Sequence, residues 1–511
     1  MTTSVQTQEA HSAALYMSPV ALENSSANMR AKTFARPGYR GDSGAETPRF
    51  TTTTYPSKCL QFLKSIPLVP VRDTGSEASN KMFEQAKAPL RVLVVGAGLG
   101  GLATATTLRL HGHDVTVLEQ APFLAEVGAG IQIPPNSTKL LRRWGVLDEM
   151  KDQLVQPDGI SFRRWQTGER IGFTDLSDEF SMTYEGQYYV AHRAHLHSAL
   201  YKRATDLGVK VILNSKVASY NSAAPSVTTE DGTVFSADLV VAADGIKSIG
   251  RDSVPFTSDS TPRKTGYAAY RATVDVEKLR REVPEAAWIL EKPGLNTWIG
   301  EKRHVMTYTI SSGTSFNMVL SHEDHTDAST WTQLSKEQIA KDMRNEFAGW
   351  DSQLCKIIDI IDNALKWPLL EAETIDRWVA PSSRLVVLGD AAHAMLPYMS
   401  QGAAMAVEDG AALAIALNDA VSSDELRSSL LAWEAERRER AGMMQEASRV
   451  NSMIWHFADG PLQRARDAAM RPEVQGLHFL TSPNQWSDPQ TQAWAYGYDA
   501  ELAMMKRLES S

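Results

Sequence analysis

The chain has 511 residues, 43% of them apolar, enough for more than one hydrophobic core. Its formal net charge is −9 and no Lys/Arg block stands out, which excludes nucleic acid as the main partner, because phosphate binding needs clustered positive charge. Two unpatterned cysteines, Cys59 and Cys355, exclude a disulfide framework or a cysteine zinc site, and no uncharged apolar run reaches the about 18 residues of a membrane span, so a soluble cytoplasmic setting is expected.

Residues 1–88 are rich in Ser, Thr, Ala and Pro, carry scattered basic residues from Arg30 to Arg49, and keep no helical or strand period. They read as a flexible extension. Glu9 and Glu23 count against an organelle transit peptide, despite the Ser and Arg content. The pattern then sharpens. A buried strand, Val92–Val95, runs into Gly96, Gly98 and Gly101, followed by a helix, a second strand at Val115–Leu118, and Glu119. This order and spacing match a dinucleotide-binding βαβ unit. Gly96 allows the sharp turn, Gly98 lets backbone approach a pyrophosphate, Gly101 lets the helix pack on the sheet, and Glu119 can accept from a ribose diol.

A Gly-rich stretch from Val127 leads to a helix that Asn136 can cap and that ends near Gly145. A helix over His195–Leu207, closed by Gly208, precedes a strand at Val209–Leu213, and Asp231-Gly232 predicts a hairpin. The strand Leu239–Ala242 delivers Asp244-Gly245. From Gly266 to about Leu320 strands follow one another (Tyr267–Val276, Thr297–Ile299, Val305–Ile310, Phe316–Leu320), which predicts an inserted antiparallel sheet forming a cleft wall. Helical patterns resume near Lys336. The strand Arg384–Leu388 ends at Gly389-Asp390, a helix follows from about Gln401, and Asp424–His456 is a long charged helix. Its run Glu434–Arg440 reads as a solvated face with i,i+4 pairs. The expected division is 1–88, 89–265, 266–370 and 371–511.

Asp390 sits where a ribityl or ribose hydroxyl could be held, and the Gly402–Ala404 amides where a polar ring edge could meet a helix N-terminus. The cluster His192, His195, His197 has no accompanying ligand set and reads as a helix N-terminal group rather than a metal site. No Ser lies in a G-x-S-x-G elbow.

Gly389-Asp390 with Pro397, Gln401-Gly402 and Glu408-Asp409 resembles the second FAD fingerprint of the single-component, FAD-dependent aromatic hydroxylases. Asp244-Gly245 through Arg251 resembles their central Asp-Gly motif, and the three motifs stand in the family's order. Gly266-Tyr-Ala-Ala-Tyr-Arg271 and the tail from Ser482 to Asp499 are similar to the salicylate-hydroxylase-like branch, which includes fungal natural-product enzymes; the likeness covers residues 90–500. It implies an α/β fold with a Rossmann-like FAD-binding domain (89–265 and 371–511), an inserted β-rich substrate domain and a long C-terminal helix. It implies FAD held by Gly96, Gly98, Gly101, Glu119, Gly130, Gln132, Arg193, Asp244, Asp390, Gly402 and Ala403. NADH or NADPH would be co-substrate, and molecular oxygen would be inserted through a flavin C4a-hydroperoxide into an electron-rich phenolic or indolic small molecule. By motif position Lys247 and Tyr270 are the expected catalytic pair, with Arg271 near the flavin; Tyr308 and His304 are next in line. Met399, where many salicylate hydroxylases carry a polar residue, leaves room for a bulkier apolar substrate. A flavin dehydrogenase or oxidase without oxygen insertion, and a non-catalytic FAD-binding protein, share this frame.

Overall fold

Five strands lie parallel in the order Leu385–Val387, Leu239–Ala242, Arg91–Val95, Asp114–Leu118 and Lys210–Ile212. The three central ones are nearly continuous apolar runs because helices cover both faces. Parallel strands end on the same edge, so the loops after Val95, Leu118, Ala242 and Val387 meet there. This computed structural model describes residues 65–67, 84–124, 129–255, 261–331 and 333–510. Most of the expected extension, 1–88, lies outside the described residues. Of the part described, Ile66 is buried in a core cluster, and the backbone N–H groups of Ala86 and Lys87 donate to the carbonyls of His111 and Asn418.

A second sheet of seven strands runs in the order Leu365–Glu371, Arg263–Asp275, Ser315–Glu323, Arg303–Ile310, Leu295–Gly300, Gly159–Arg164 and Arg170–Asp175. All its pairings are antiparallel except that of Leu295–Gly300 with Gly159–Arg164. The four strands expected between Tyr267 and Leu320 form, each within a few residues of its expected bounds. The stretch 89–265, expected for the nucleotide domain alone, also supplies two strands of this sheet. Along it, successive side chains serve different layers. Ala269, Met306 and Tyr308 belong to one core cluster, whereas Tyr270, Ala272, Val305, Met318 and Leu320 pack in another with Ile339 and Met343 of the helix Lys336–Glu346.

The hairpin around Gly232 (φ +84°) forms as predicted, joining Ser226–Thr229 to Val234–Ser236. Asn136 does not cap its helix. Pro135 takes the first helical position of Pro135–Arg143, and the Asn136 Nδ2 donates instead to Gln401 Oε1 and Glu408 Oε1. The long helix spans Ser423–Trp455 and opens with a capping box between Ser422 and Glu425. Its charged run is not a solvated face. Glu434, Arg437 and Arg440 are buried, because their partners are backbone N–H groups of Trp378 and Val379 and the carboxylates of Glu408 and Asp409.

Candidate active site

The glycine loop is shaped partly by the protein's own backbone. Gly96 has φ +104°, and a Cβ there would lie 2.4 Å from the Ala243 carbonyl oxygen; one on Gly101 would lie 2.0 Å from that of Gly96. Gly98 differs: a Cβ would meet open space, and no side chain caps the helix Leu99–Leu110 that it begins. The first-turn N–H groups of that helix are therefore available to an anion. Glu119 fastens the loop from below, accepting from Ala97 N at 2.8 Å and Ala121 N at 2.9 Å.

The second loop starts at Gly389 (φ +62°), whose N–H donates to Asp409 Oδ2 at 3.0 Å, and carries exposed Asp390. It ends at the helix Gly402–Leu417, again without a side-chain cap. Beneath it, the charged groups are buried. Asp409 accepts from His393 Nε2 at 2.6 Å and Arg437 Nε at 2.9 Å, and Glu408 accepts from Arg437 at 2.7 Å and Arg440 at 3.1 Å. Burial would raise the Asp409 pKa, but His393 and Arg437 beside it outweigh that and hold it below the ordinary carboxylate value. The Asp-Gly motif is tied to this loop, since Arg251 Nε donates to the Ala391 carbonyl at 2.7 Å.

The two uncapped helix N-termini and one face of the seven-stranded sheet enclose a cavity of about 370 Å³. Of the residues expected to bind FAD, Gly98, Gly130, Gln132, Arg193, Asp390, Gly402 and Ala403 line it. Gly96, Gly101 and Glu119 shape the glycine loop from outside the lining. Asp244 holds a turn, accepting on Oδ2 from Tyr220 OH and from the N–H groups of Ile249 and Gly250, while its neighbours Ala243 and Gly245 line the cavity. Gly130 is glycine for a local reason, since a Cβ would fall 2.3 Å from the Tyr308 ring. Gln132 accepts from Tyr188 OH at 2.6 Å.

The expected catalytic pair is not brought to the cavity. Lys247 is exposed on the turn after Gly245 and is not part of the lining. Tyr270 is buried in the opposite layer, stacked on His322 at 4.4 Å with Lys366 Nζ 5.2 Å from its ring centre. It is one residue out of phase with Ala269 and Arg271, which do line the cavity. Met399 is likewise outside the lining, buried beside Asn451, so its apolar character does not shape this cavity.

What the sheet presents instead is Arg271, His304, Met306, Tyr308, Val319 and Ser321. Arg271 Nε is buried without a hydrogen-bond partner, and burial lowers the guanidinium pKa, with Tyr308 opposing and Arg193 adding to the shift. Burial drives the Tyr308 phenol upward, against the pull of Arg271. Burial pushes His304 down to about 3, so its ring is neutral. Tyr308 and His304 lie on the strand Arg303–Ile310 at alternate positions with Met306, a spacing visible in the sequence once that strand's inward face is known.

These features suit FAD. Two free helix N-termini offer N–H groups to a pyrophosphate and to a polar ring edge, Gly98 leaves space for close approach, and Asp390 and Glu119 supply acceptors for sugar hydroxyls. Among the described residues no cluster of His, Cys, Asp or Glu is arranged to hold a metal, and no helix is long and apolar enough to cross a membrane.

Comparison with known proteins agrees with this reading. The family described as "FAD binding domain" matches residues 89–448. The chain is 36% identical over 416 residues to the FAD-dependent monooxygenase OpS4 of Beauveria bassiana, covering 81% of this chain and 96% of the relative. It is 34% identical over 372 residues to 6-hydroxynicotinate 3-monooxygenase of Pseudomonas fluorescens, covering 71% and 91%. A crystal structure of CtdE in complex with FAD and substrate superposes with a TM-score of 0.69 at 25% identity, over 82% of this chain and 98% of that one. With its glycine loop, its second flavin loop and a sheet-walled cavity between them, the chain belongs to the FAD-dependent monooxygenases of the aromatic-hydroxylase type.

Proposed function

We propose that this enzyme hydroxylates an electron-rich, phenolic small molecule, using O₂ and NADH or NADPH. The observation that carries the reading is the sheet wall of the cavity. It is apolar at Ala269, Met306 and Val319, and it sets a half-buried cation, Arg271, whose Nε is buried, beside Tyr308 and His304. A guanidinium with its Nε buried and unpartnered favours an anion next to it, and away from water that preference is stronger. Arg271 thus stabilises a phenolate, whose ring carbon is a better nucleophile than that of the phenol. Tyr308 orients the substrate hydroxyl, and neutral His304 accepts its proton. The relative from Pseudomonas fluorescens is named for 6-hydroxynicotinate, a hydroxylated ring, which supports a substrate of this class.

When bound, FAD supplies the redox chemistry that activates oxygen with electrons from the nicotinamide. Glu119 and Asp390 would hold its sugar hydroxyls, the Leu99–Leu110 helix N-terminus its phosphates, and Gly402 and Ala403 its ring edge. The test is a screen of phenols, hydroxybenzoates and indoles for NAD(P)H consumption coupled to product labelled from ¹⁸O₂. Phenols should give labelled product; nicotinamide consumption without label from any of the three classes rejects the reading.

A further inference from the structure

Behind the cavity wall, His304 meets a second histidine. His304 Nδ1 lies 2.9 Å from His456 Nε2, and the rings are nearly parallel with centres 5.2 Å apart. His456 closes the 33-residue helix Ser423–Trp455, and its other nitrogen, Nδ1, is 3.5 Å from Ser452 Oγ on the half-buried side of that helix. Two imidazole nitrogens at this separation share one proton. Sharing couples the tautomers. If the shared proton sits on His304, both rings are Nδ1–H and the remaining nitrogen of His304, on a ring that lines the cavity, is bare. If it sits on His456, both rings are Nε2–H and that nitrogen of His304 carries a proton.

We infer that His304 and His456 form a proton relay leading from the cavity to half-buried Ser452, with His456 positioning the proton on His304. The inference rests on the reading of the substrate as a phenol. The balance is one proton in and one out. A substrate proton goes to His304 Nε2, the shared proton crosses from His304 Nδ1 to His456 Nε2, and the proton on His456 Nδ1 leaves toward Ser452 Oγ. The pair ends in its second tautomer, and the reverse sequence resets it.

The surroundings favour transfer over storage of charge. Tyr267 stacks on His456 at 5.3 Å from the strand Arg263–Asp275, Tyr398 and Trp455 meet His304 edge-on, and Arg466 of the helix Pro461–Gln475 acts on His456 from a third side. Burial lowers the pKa of both rings, and for His456 the neighbouring His304 and Arg466 lower it further. A proton entering the pair is therefore passed on.

Two measurements on the full chain test the relay. In ¹⁵N-histidine-labelled protein without ligand, nitrogen shifts should report both rings neutral at pH 6 and in the same tautomer; one Nδ1–H with one Nε2–H, or an imidazolium, overturns the relay. In FAD-loaded enzyme mixed with 4-nitrophenol at pH 6, phenolate absorbance reports ionisation of the bound probe. His456→Gln keeps a hydrogen-bonding group near His304 but lacks a second ring nitrogen. It should slow ionisation about 10²-fold, the lower end of what a positioned acid–base group contributes, with probe affinity unchanged. His456→Phe should match it. Ionisation at the unmodified rate in His456→Gln shows that His456 only holds the ring, and ends the proposal. If the unmodified enzyme binds the probe without ionising it, the phenol reading fails, and the tautomer measurement alone decides whether the pair shares its proton.

Discussion

Tyr270 and Arg271 follow one another on one strand yet serve different layers, and the difference has a measurable consequence. Arg271→Gln removes the half-buried cation beside Tyr308 and should lower kcat/KM for a phenol about 10²-fold, as loss of one preorganised charge-stabilising group does. Tyr270→Phe keeps its stack on His322 and should leave product yield per NAD(P)H unchanged. Equal losses in both variants would refute the assignment of faces. The cofactor contacts give a second pair. Asp390→Ala and Glu119→Ala should each weaken FAD binding about tenfold to a hundredfold, the equivalent of about 1.5–3 kcal/mol for a hydrogen bond to a charged group. Glu119→Ala should also lower Tm, because its carboxylate accepts two backbone N–H groups of the loops, whereas exposed Asp390 has no such duty. Full flavin retention on dilution in both variants would contradict the assignment. The glycines and Glu119 were legible in the sequence because their spacing is local. Arg271 could not be chosen over Tyr270 that way: both faces of its strand are covered, so alternation of polar and apolar residues does not say which side meets the cavity.

Among the elements, the long helix shows how far a charge pattern can mislead. The sequence around Arg437 looks like any solvated helix with paired charges, since its partners Glu408 and Asp409 lie on a different helix about 30 positions earlier. Only the packing of Gly402–Leu417 against Ser423–Trp455 brings the acids under the arginines. Arg437→Met leaves two buried carboxylates without their main partner and should cost about 3–5 kcal/mol of stability, in keeping with broken buried pairs. The variant should also lose flavin, because Asp409 accepts from the N–H of Gly389 at the start of the second loop. A Tm unchanged by this substitution would refute a structural role for the network. The strands of the second sheet, by contrast, were readable one by one, but the joining of Gly159–Asp175 to them was not, because a parallel pairing across about 130 residues leaves no local signal.

For the whole molecule, acid should be destabilising through its histidines. Burial holds His113 and His322 near 4 and His304 near 3, and it lowers His111 and His456 as well. In the unfolded chain these rings return to about 6.5, so between that value and 4 the unfolded state binds protons that the folded one refuses. Their stabilising contribution is complete above pH 6.5 and is lost as pH falls. Glu473 and Glu501, raised to about 7 by burial, act with the opposite sign, gaining stability as pH drops from 7 toward 4.5. Five rings outnumber two acids, and Tm should fall on acidification below 6.5. His113→Gln should flatten the slope, because His113 Nδ1 accepts the Leu90 N–H and cannot do so once protonated. An identical slope in the variant would rule out that ring as a contributor.

The two-residue repeat of the seven-stranded sheet also bears on how this enzyme could change its substrate. The wall positions on the three strands Arg263–Asp275, Arg303–Ile310 and Ser315–Glu323 fall on alternate residues, and the residues between them pack a separate core. Replacing Ala269, Met306 or Val319 therefore reshapes the chamber while the stacking of Phe316, Met318 and Leu320 on the helices behind it stays intact. A single inserted residue in any of these strands would do the reverse, turning core side chains into the chamber and chamber side chains into the core. Divergence by substitution is open to this scaffold, and divergence by insertion within those strands is closed.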